Sequence, residues 1–415
     1  MTVKSERGLP DIVNIKIITK GYSMYYVGID VAKDKHDCCI IDDVGNVILK
    51  PFRIKNSLEG FCELIQRISI ITSNRDEVII GLEDTGHYSG NLVNYFTNLF
   101  TVKTINPIFT AKYKKASTLR RTKTDKIDTV QIARMLRSGK NFRPVVSIPY
   151  DHEELKSLSR YRLVLVKKRA IEKNSIKRLI NILVPEWEQY FRDVHRPTSY
   201  AALFAYPGKN YLSTCRTPAL TQILRSASKG YYGEDLATRL RDTAKNSIGR
   251  ISGAKSYELR QTIKHIRNLS DEIDEVDDKI KEILDRAHSP ICTIPGIGTT
   301  LAATIIGEVG DFSKFSSPEK ILAFAGMVPT VYSSGKYVSS HNKMDKRGSR
   351  NLRCALFLAV RSASLFVPEL NEYLLKKRKE GKHFFVACSH AAKKLVRLMY
   401  SLETEHRSYE PKSVH

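Results

Sequence analysis

The chain has 415 residues, of which 42% are hydrophobic and 27% are charged, a composition that excludes a wholly disordered chain. No run of about 20 apolar residues marks a membrane-spanning helix, and the formal net charge is +24, from 68 lysine and arginine residues against 44 aspartate and glutamate residues. A net charge of this size either serves solubility alone or indicates that the protein binds a polyanion. The absence of a basic amphipathic segment favours nucleic acid over a membrane surface as that polyanion.

Residues 1–22 are predicted to form a short extension, and the charged residues scattered through it give no secretory signal. The seven cysteines have no zinc-ligand spacing, so they predict reduced, buried thiols in a cytoplasmic protein.

The next part of the chain has the pattern of an α/β domain over 23–150. Strand-forming runs at 25–30, 38–42 and 47–49 predict an antiparallel meander, followed by a helix at 57–68, a buried strand at 77–83, a helix at 88–100 and a strand at 101–105. Helices that alternate with strands after an opening meander indicate a mixed sheet.

Two long helices are predicted in the middle, at 153–184 and 256–287. In the second helix, apolar positions alternate spacings of three and four, which is a coiled-coil seam of about two and a half heptads. The pattern is compatible with an antiparallel hairpin, a dimer-forming arm or a plain intramolecular pair, and the segment 190–255 has no clear pattern. We therefore expect a helical linker and dimerisation region over 151–288.

The C-terminal part is predicted to be a mainly α domain over 289–375, followed by a basic tail over 376–415. Its apolar stretches lie at 295–306, 322–328 and 349–366. The turn Pro295–Gly298 resembles that of a helix-hairpin-helix, whose backbone N–H groups can hold a phosphate without reading sequence. An ordinary tight turn explains the same residues equally well.

Four carboxylates are candidates for a shared site. Asp30 and Glu83 each end a predicted strand, and Asp125 and Asp128 share one face of the helix predicted to run to Leu136. Hard oxygen ligands suit Mg²⁺ or Mn²⁺, and two such ions about 4 Å apart clamp the attacking and leaving oxygens of a phosphodiester. Considered individually, each acidic residue has a simpler explanation: it caps a turn, or it interacts favourably with the dipole at the first turn of a helix.

Three strings carry a resemblance to a known family: GIDVAKDKHD at 28–37, GLEDTGHY at 81–88 and KTDKID at 123–128. They resemble, in order, the motifs of the DEDD insertion-sequence transposases, which are bridge-RNA-guided serine recombinases with a RuvC-like N-terminal domain. Segments at 294–312, 324–336 and 346–353 resemble the second domain of that family. The resemblance covers about 23–150 and 290–370. It implies a RuvC/ribonuclease-H-like mixed sheet in which Asp30, Glu83, Asp125 and Asp128 bind Mg²⁺, with Glu83 rather than Asp84 in the motif position.

The same resemblance implies that Ser334 is the nucleophile, with Ser333 as the adjacent alternative. Gly335 lets the backbone approach a phosphate closely, and a base or metal has to activate the hydroxyl. The implied activity is RNA-guided DNA recombination that mobilises an insertion sequence, with the carboxylates completing the site around Ser334. The implied partners are DNA at the element ends and target, a structured noncoding guide RNA and further copies in a homodimer or homotetramer, in the prokaryotic nucleoid.

Two other functions fit the same residues. A metal-dependent RuvC-like nuclease or junction resolvase would use water as the nucleophile, and a non-enzymatic nucleic-acid-binding protein would use the four acids structurally. Basic residues concentrate at 103–126, 155–180 and 376–397. This distribution predicts a large nucleic-acid surface with an affinity that falls steeply with salt.

Overall fold

The computed structural model describes residues 24–83, 88–117, 125–139, 142–144, 150–330, 333–334, 337–338 and 344–411. The chain divides into two compact units, Met1–Ser147 and Ile148–His415. The extension predicted at 1–22 lies outside the described residues. Within the described ranges, no single helix is both long and apolar enough to span a bilayer.

The first unit is built around a mixed sheet. Its elements are β1 (Tyr25–Asp30), β2 (Lys35–Ile41), β3 (Val47–Lys55), α1 (Leu58–Ser69), β4 (Val78–Glu83), α2 (Gly90–Thr97), β5 (Thr101–Ile105), α3 (Pro107–Ser117), α4 (Asp125–Arg137) and β6 (Phe142–Pro144). The strand order is β3-β2-β1-β4-β5-β6. The three central strands β1, β4 and β5 are parallel, and β2, β3 and β6 are antiparallel to their neighbours. The predicted α/β class and opening meander are confirmed, and the sheet is consistent with a RuvC-like domain.

The two faces of this sheet have different partners because side chains alternate along each strand. Val27 and Ile29 face one core, which includes Phe61 of α1 and Phe96 of α2. Cys39 and Ile41 of β2 pack on the opposite face against Ala133 of α4. This second face is the one that carries the carboxylates.

The second unit is mainly helical. It contains α5 (Tyr150–Leu183), α6 (Pro197–Ala205), α7 (Lys209–Thr214), α8 (Thr217–Ala227), α9 (Glu234–Asn246), α10 (Gly253–Ala287), α11 (Thr299–Val309), α12 (Pro318–Phe324), β7 (Ser333–Ser334), β8 (Tyr337–Val338), α13 (Arg350–Ala363), α14 (Pro368–Lys379) and α15 (Phe384–Glu405).

The two long helices α5 and α10 pack against each other as an antiparallel pair. Arg162 is ion-paired with Asp277, whereas Arg178, further along α5, is ion-paired with Glu258, further back along α10. Ile273 and Ile280 of the predicted seam are buried in this unit. This face of α10 therefore packs within the chain, against α5, rather than against a second copy.

A separate hydrophobic core joins the segment between the long helices to the adjacent ends of α5 and α10. Trp187 and Phe191 are buried there with stacked rings, and α6 to α9 surround them. The sequence pattern left this segment unassigned because each of the four helices is at most 13 residues long and contributes few buried residues.

Residues after 376 were expected to form a basic tail, but most of them are helical. The basic run ends α14, and α15 places Ala387, Ala391 and Leu395 in the core of the second unit. The apolar residues of α14 and α15 follow helical spacing. A count of residue types does not show this spacing, because it reports only that the segment is highly charged. The prediction of buried thiols holds for Cys38, Cys39, Cys215 and Cys388 and is wrong for Cys292 and Cys354, which are exposed.

Candidate active site

Asp30 and Glu83 stand at the carboxyl ends of neighbouring parallel strands. Ile29 of β1 is in register with Leu82 of β4, so the next residues, Asp30 and Glu83, are at the same level of the sheet. Residues at the same level of adjacent strands point to the same face. The topology thus brings together two carboxylates that are more than fifty residues apart in sequence.

Helix α4 covers that same face. A Cβ atom on Gly28 would lie 2.3 Å from the carbonyl oxygen of Thr129 and 2.6 Å from the nitrogen of Ala133, and one on Gly81 would lie 2.7 Å from the Leu136 side chain. Only glycine allows so close an approach. Because residues two apart share a face of a strand, Asp30 and Glu83 point to the α4 side, as Gly28 and Gly81 do.

The direction of α4 places its first turn towards the two strand ends. Its last residue, Arg137, donates hydrogen bonds to the carbonyl oxygens of Asp43 and Val44, in the turn beside the start of β1. The first residue of α4, Asp125, therefore lies at the opposite end, towards Asp30. Asp128 is buried, at 5% exposure. The side chain of Asp125 lies outside the described residues.

Glu83 is held by a hydroxyl group that sequence reasoning missed. Thr110 of α3 is buried, and its Oγ1 lies 2.9 Å from Glu83 Oε2, to which it donates, and 2.8 Å from the carbonyl oxygen of Pro107. The only sequence signal for Thr110 is its place in the first turn of a helix that follows β5. A neutral threonine in that position suggests nothing about a carboxylate on another strand.

A further acid, Asp37, extends the row across the sheet. Asp37 of β2 is in register with Asp30, and its carboxylate forms an ion pair of 3.0 Å with Arg53 of β3. Asp37 was part of the first motif but was not predicted as a site residue. Arg53 compensates the charge of this carboxylate.

The carboxylates fit a hard divalent cation by donor type. Across the described side chains, no three histidine, cysteine, aspartate or glutamate residues form a group arranged to hold a metal ion. Asp30 and Glu83 lie at the same level of adjacent strands, and their oxygen donors suit Mg²⁺ or Mn²⁺.

Ser334 lies in a β-hairpin of the second unit. Ser334 of β7 is in register with Tyr337 of β8. Below it, Pro329 pairs with Met344, and the N–H of Asp345 donates to the carbonyl of Val328 at 2.8 Å. We call the described segments 328–330, 333–334, 337–338 and 344–345 the serine hairpin. The Ser334 side chain and residues 331–332, 335–336 and 339–343 lie outside the described part of the chain.

The base of the serine hairpin is fastened by Arg353. Its Nη1 donates to the carbonyl oxygens of Ala325 at 2.7 Å and Lys346 at 3.3 Å, on the two sides of the hairpin. The Arg353 guanidinium therefore binds backbone carbonyls on both sides of the hairpin base. Ser349 caps α13, because its Oγ accepts from the N–H of Leu352 at 3.1 Å.

The turn at Pro295–Gly298 leads directly into α11. Gly296 has φ +83°, and a Cβ there would lie 2.7 Å from the carbonyl oxygen of Ser362. Glycine at this position therefore serves a left-handed turn packed closely on α13. A phosphate-binding role for the turn stays a prediction.

Comparison with known proteins places both units in one group. A family model described as a transposase, of the IS110 DEDD type, matches residues 27–185. A second, described as transposase of the IS116/IS110/IS902 family, matches residues 288–375. The chain belongs to the IS110/IS116 family of DEDD transposases. It is therefore an enzyme that acts on DNA.

Relatives of this transposase match it along most of their length. It is 23% identical to the pilin gene-inverting protein of Moraxella bovis, over 95% of this chain and 99% of the relative. It is 24% identical to the mini-circle putative transposase for IS117 of Streptomyces coelicolor, over 93% and 97%. It is 25% identical to the transposase for insertion sequence element IS1111A of Coxiella burnetii, over 92% and 90%.

Proposed function

We propose that this transposase mobilises an insertion sequence by RNA-guided DNA recombination, with Ser334 as the nucleophile. Asp30, Glu83, Asp125 and Asp128 hold Mg²⁺, with Mn²⁺ as a substitute. The observation that carries the proposal is the register of β1 and β4, which places Asp30 beside Glu83 on the face covered by α4. Bound there, a divalent cation supplies charge stabilisation at a phosphodiester.

In the proposed reaction, Ser334 Oγ forms a bond to a DNA phosphorus as the bond from that phosphorus to one deoxyribose oxygen breaks. The serine proton leaves to a base, and the released DNA end gains a hydroxyl group. The phosphoserine ester keeps the phosphate bond for rejoining, so strand exchange proceeds without hydrolysis. The hairpin position of Ser334, before Gly335, suits a close approach to a phosphate.

A guide RNA that pairs with element and target DNA would set the specificity. The net charge of +24 supports binding of RNA and DNA together, since each neutralised phosphate adds to the affinity. The protein would then read the shape and backbone of the nucleic acids more than their bases.

We further propose that the active form is a homodimer or homotetramer. Support comes from α5, where the side chains of Val164 and Ile171 are 45% and 65% exposed. These two residues are seven apart, which is the heptad spacing that suits a second helical pair.

One assay tests the proposed function. The protein is incubated with Mg²⁺, guide RNA and cognate DNA and is then denatured, and covalent protein–DNA adducts are counted. We expect an adduct that Ser334→Ala abolishes, whereas the matched control Ser333→Ala retains it. Omission of the RNA tests guidance.

The two alternatives give different results in that assay. Strand cleavage that survives Ser334→Ala without an adduct would indicate a nuclease or resolvase that uses water. Binding without strand cleavage under any divalent metal would indicate a non-enzymatic nucleic-acid-binding protein.

A further inference from the structure

A buried carboxylate beside the serine hairpin receives hydrogen bonds from three side chains, one on α5 and two at the start of α13. Glu308 of α11 is only 3% exposed. Arg160 of α5 donates from Nε to Oε1 at 2.6 Å and from Nη2 to Oε2 at 3.0 Å. Ser349 Oγ donates to Oε2 at 2.7 Å, and Asn351 Nδ2 donates to Oε1 at 3.3 Å. These hydrogen bonds offset the free-energy cost of burying a charged carboxylate.

Ser349 links this carboxylate to the serine hairpin. It follows the second arm of the hairpin, and its N–H donates to the carbonyl oxygen of Phe324 at 2.8 Å. The preceding Gly348 has φ +147°, and a Cβ there would lie 2.4 Å from that same carbonyl oxygen. The backbone at the hairpin base therefore has little room to move on the side that faces Glu308.

Arg160 links the carboxylate to α5, the first helix of the second unit. At Gly307, a Cβ would lie 2.5 Å from the nitrogen of Lys156, so the backbones of α11 and α5 are in direct contact. This contact brings Glu308 within reach of Arg160. One carboxylate thus connects α5, α11 and the base of the serine hairpin.

We propose that Glu308 is a positioning residue, which acts through Ser349 to hold the serine hairpin so that Ser334 reaches the DNA phosphate. Arg160 supplies the counter-charge. This inference rests on the proposed role of Ser334. Helix packing alone does not call for an ion pair here, since apolar residues of similar volume generally hold helices together at least as well. Directed hydrogen bonds, by contrast, fix the orientation of the hairpin base.

The test separates the link to Glu308 from the capping of α13 by Ser349. In Ser349→Asp, the new carboxylate still caps the helix, because aspartate is a good N-cap residue, but it has no proton to donate to Glu308. In Ser349→Asn, the amide supplies both a capping oxygen and an N–H donor. The double variant Glu308→Gln/Ser349→Asp reverses the link, since the new amide donates to the new carboxylate.

The readouts are the single-turnover rate of adduct formation at saturating DNA, the DNA dissociation constant and the thermal melting temperature. We expect Ser349→Asp to slow adduct formation at least tenfold with DNA affinity within twofold of wild type. Ser349→Asn and the double variant should recover the rate to within about threefold. A wild-type rate in Ser349→Asp, or a loss that only follows melting temperature or DNA affinity, overturns the proposal.

Ser334→Ala in the same assay distinguishes this failure from failure of the proposed function. Strand cleavage that survives Ser334→Ala overturns both. Loss of the adduct in Ser334→Ala together with a wild-type rate in Ser349→Asp overturns only the positioning role of Glu308.

Discussion

Asp30 and Glu83 lie side by side at the ends of two parallel strands, since Ile29 is in register with Leu82. Both point towards α4, whose backbone rests directly on Gly28. The position of the carboxylates therefore depends on a contact between a glycine and a helix backbone, which makes it sensitive to a single methyl group.

We expect Gly28→Ala to destabilise the protein by about 3 kcal/mol, since a Cβ placed 2.3 Å from the Thr129 carbonyl oxygen forces α4 away from the sheet. The shift also displaces Asp128, so metal-dependent activity should fall with stability. Urea denaturation measures the first effect, and adduct formation measures the second. Gly90→Ala is the matched control, because a Cβ there meets nothing within 4 Å and should change stability by less than about 1 kcal/mol. Equal stability of the two variants would contradict the proposed contact.

Thr110→Val should weaken the response to Mg²⁺ because it removes the hydroxyl that donates to Glu83 at 2.9 Å while keeping the side-chain shape. Loss of a group that orients a metal ligand typically costs about tenfold in metal affinity or activity. The measurement is the Mg²⁺ concentration for half-maximal adduct formation. Thr110→Ser keeps the donor and should stay close to wild type. An unchanged Mg²⁺ requirement in Thr110→Val would separate Thr110 from the metal site.

The pH dependence of stability should report Glu308. Burial raises the pKa of this carboxyl, but hydrogen bonds from Arg160 and Ser349 outweigh burial, so the net pKa lies below its ordinary value of 4.5. A folded-state pKa below the unfolded one gives stability that is fully present above about pH 4.5 and is lost as pH falls through the lower folded value.

We therefore expect Glu308→Gln to lower stability by about 2 kcal/mol at pH 7, since bonds to a charged group are lost, and by less at pH 3.5. Urea denaturation of the two proteins across this range measures the difference. Because the other carboxyl groups are common to both proteins, their contributions cancel. A difference that does not shrink towards low pH would contradict the assigned role of the charge.

In the α5–α10 pair, burial should outweigh ion pairing. Ile280→Ala is expected to cost about 3 kcal/mol, because Ile280 is fully buried and its truncation leaves a cavity. Arg162→Ala should cost about 1 kcal/mol or less, since the Arg162–Asp277 pair is partly exposed to solvent. Denaturation midpoints of the single variants, with Asp277→Ala and the double variant completing a cycle, test this order. A larger loss in Arg162→Ala than in Ile280→Ala would reverse it.

Local sequence was sufficient for elements with a strong periodic pattern. The strand at 101–105 was predicted with the bounds that the structure has, and the helix predicted to run to Leu136 ends at Arg137. Asp30 and Glu83 were correctly predicted to end their strands, because runs of β-forming residues and the polar residue that stops them are adjacent in the chain.

Tertiary structure alone decided which of these residues meet. The register of β1 on β4, the approach of α4 over Gly28, and the bonds of Thr110 to Glu83 and of Glu308 to Ser349 all join residues distant in sequence. A periodic pattern records only whether a face is apolar, and it does not record which surface covers that face. Thus the sequence by itself determined the strands and helices that have a strong periodic pattern, together with the family resemblance of the motifs. Packing and strand register decided how the carboxylates are grouped and which buried polar side chains hold them and the serine hairpin in place.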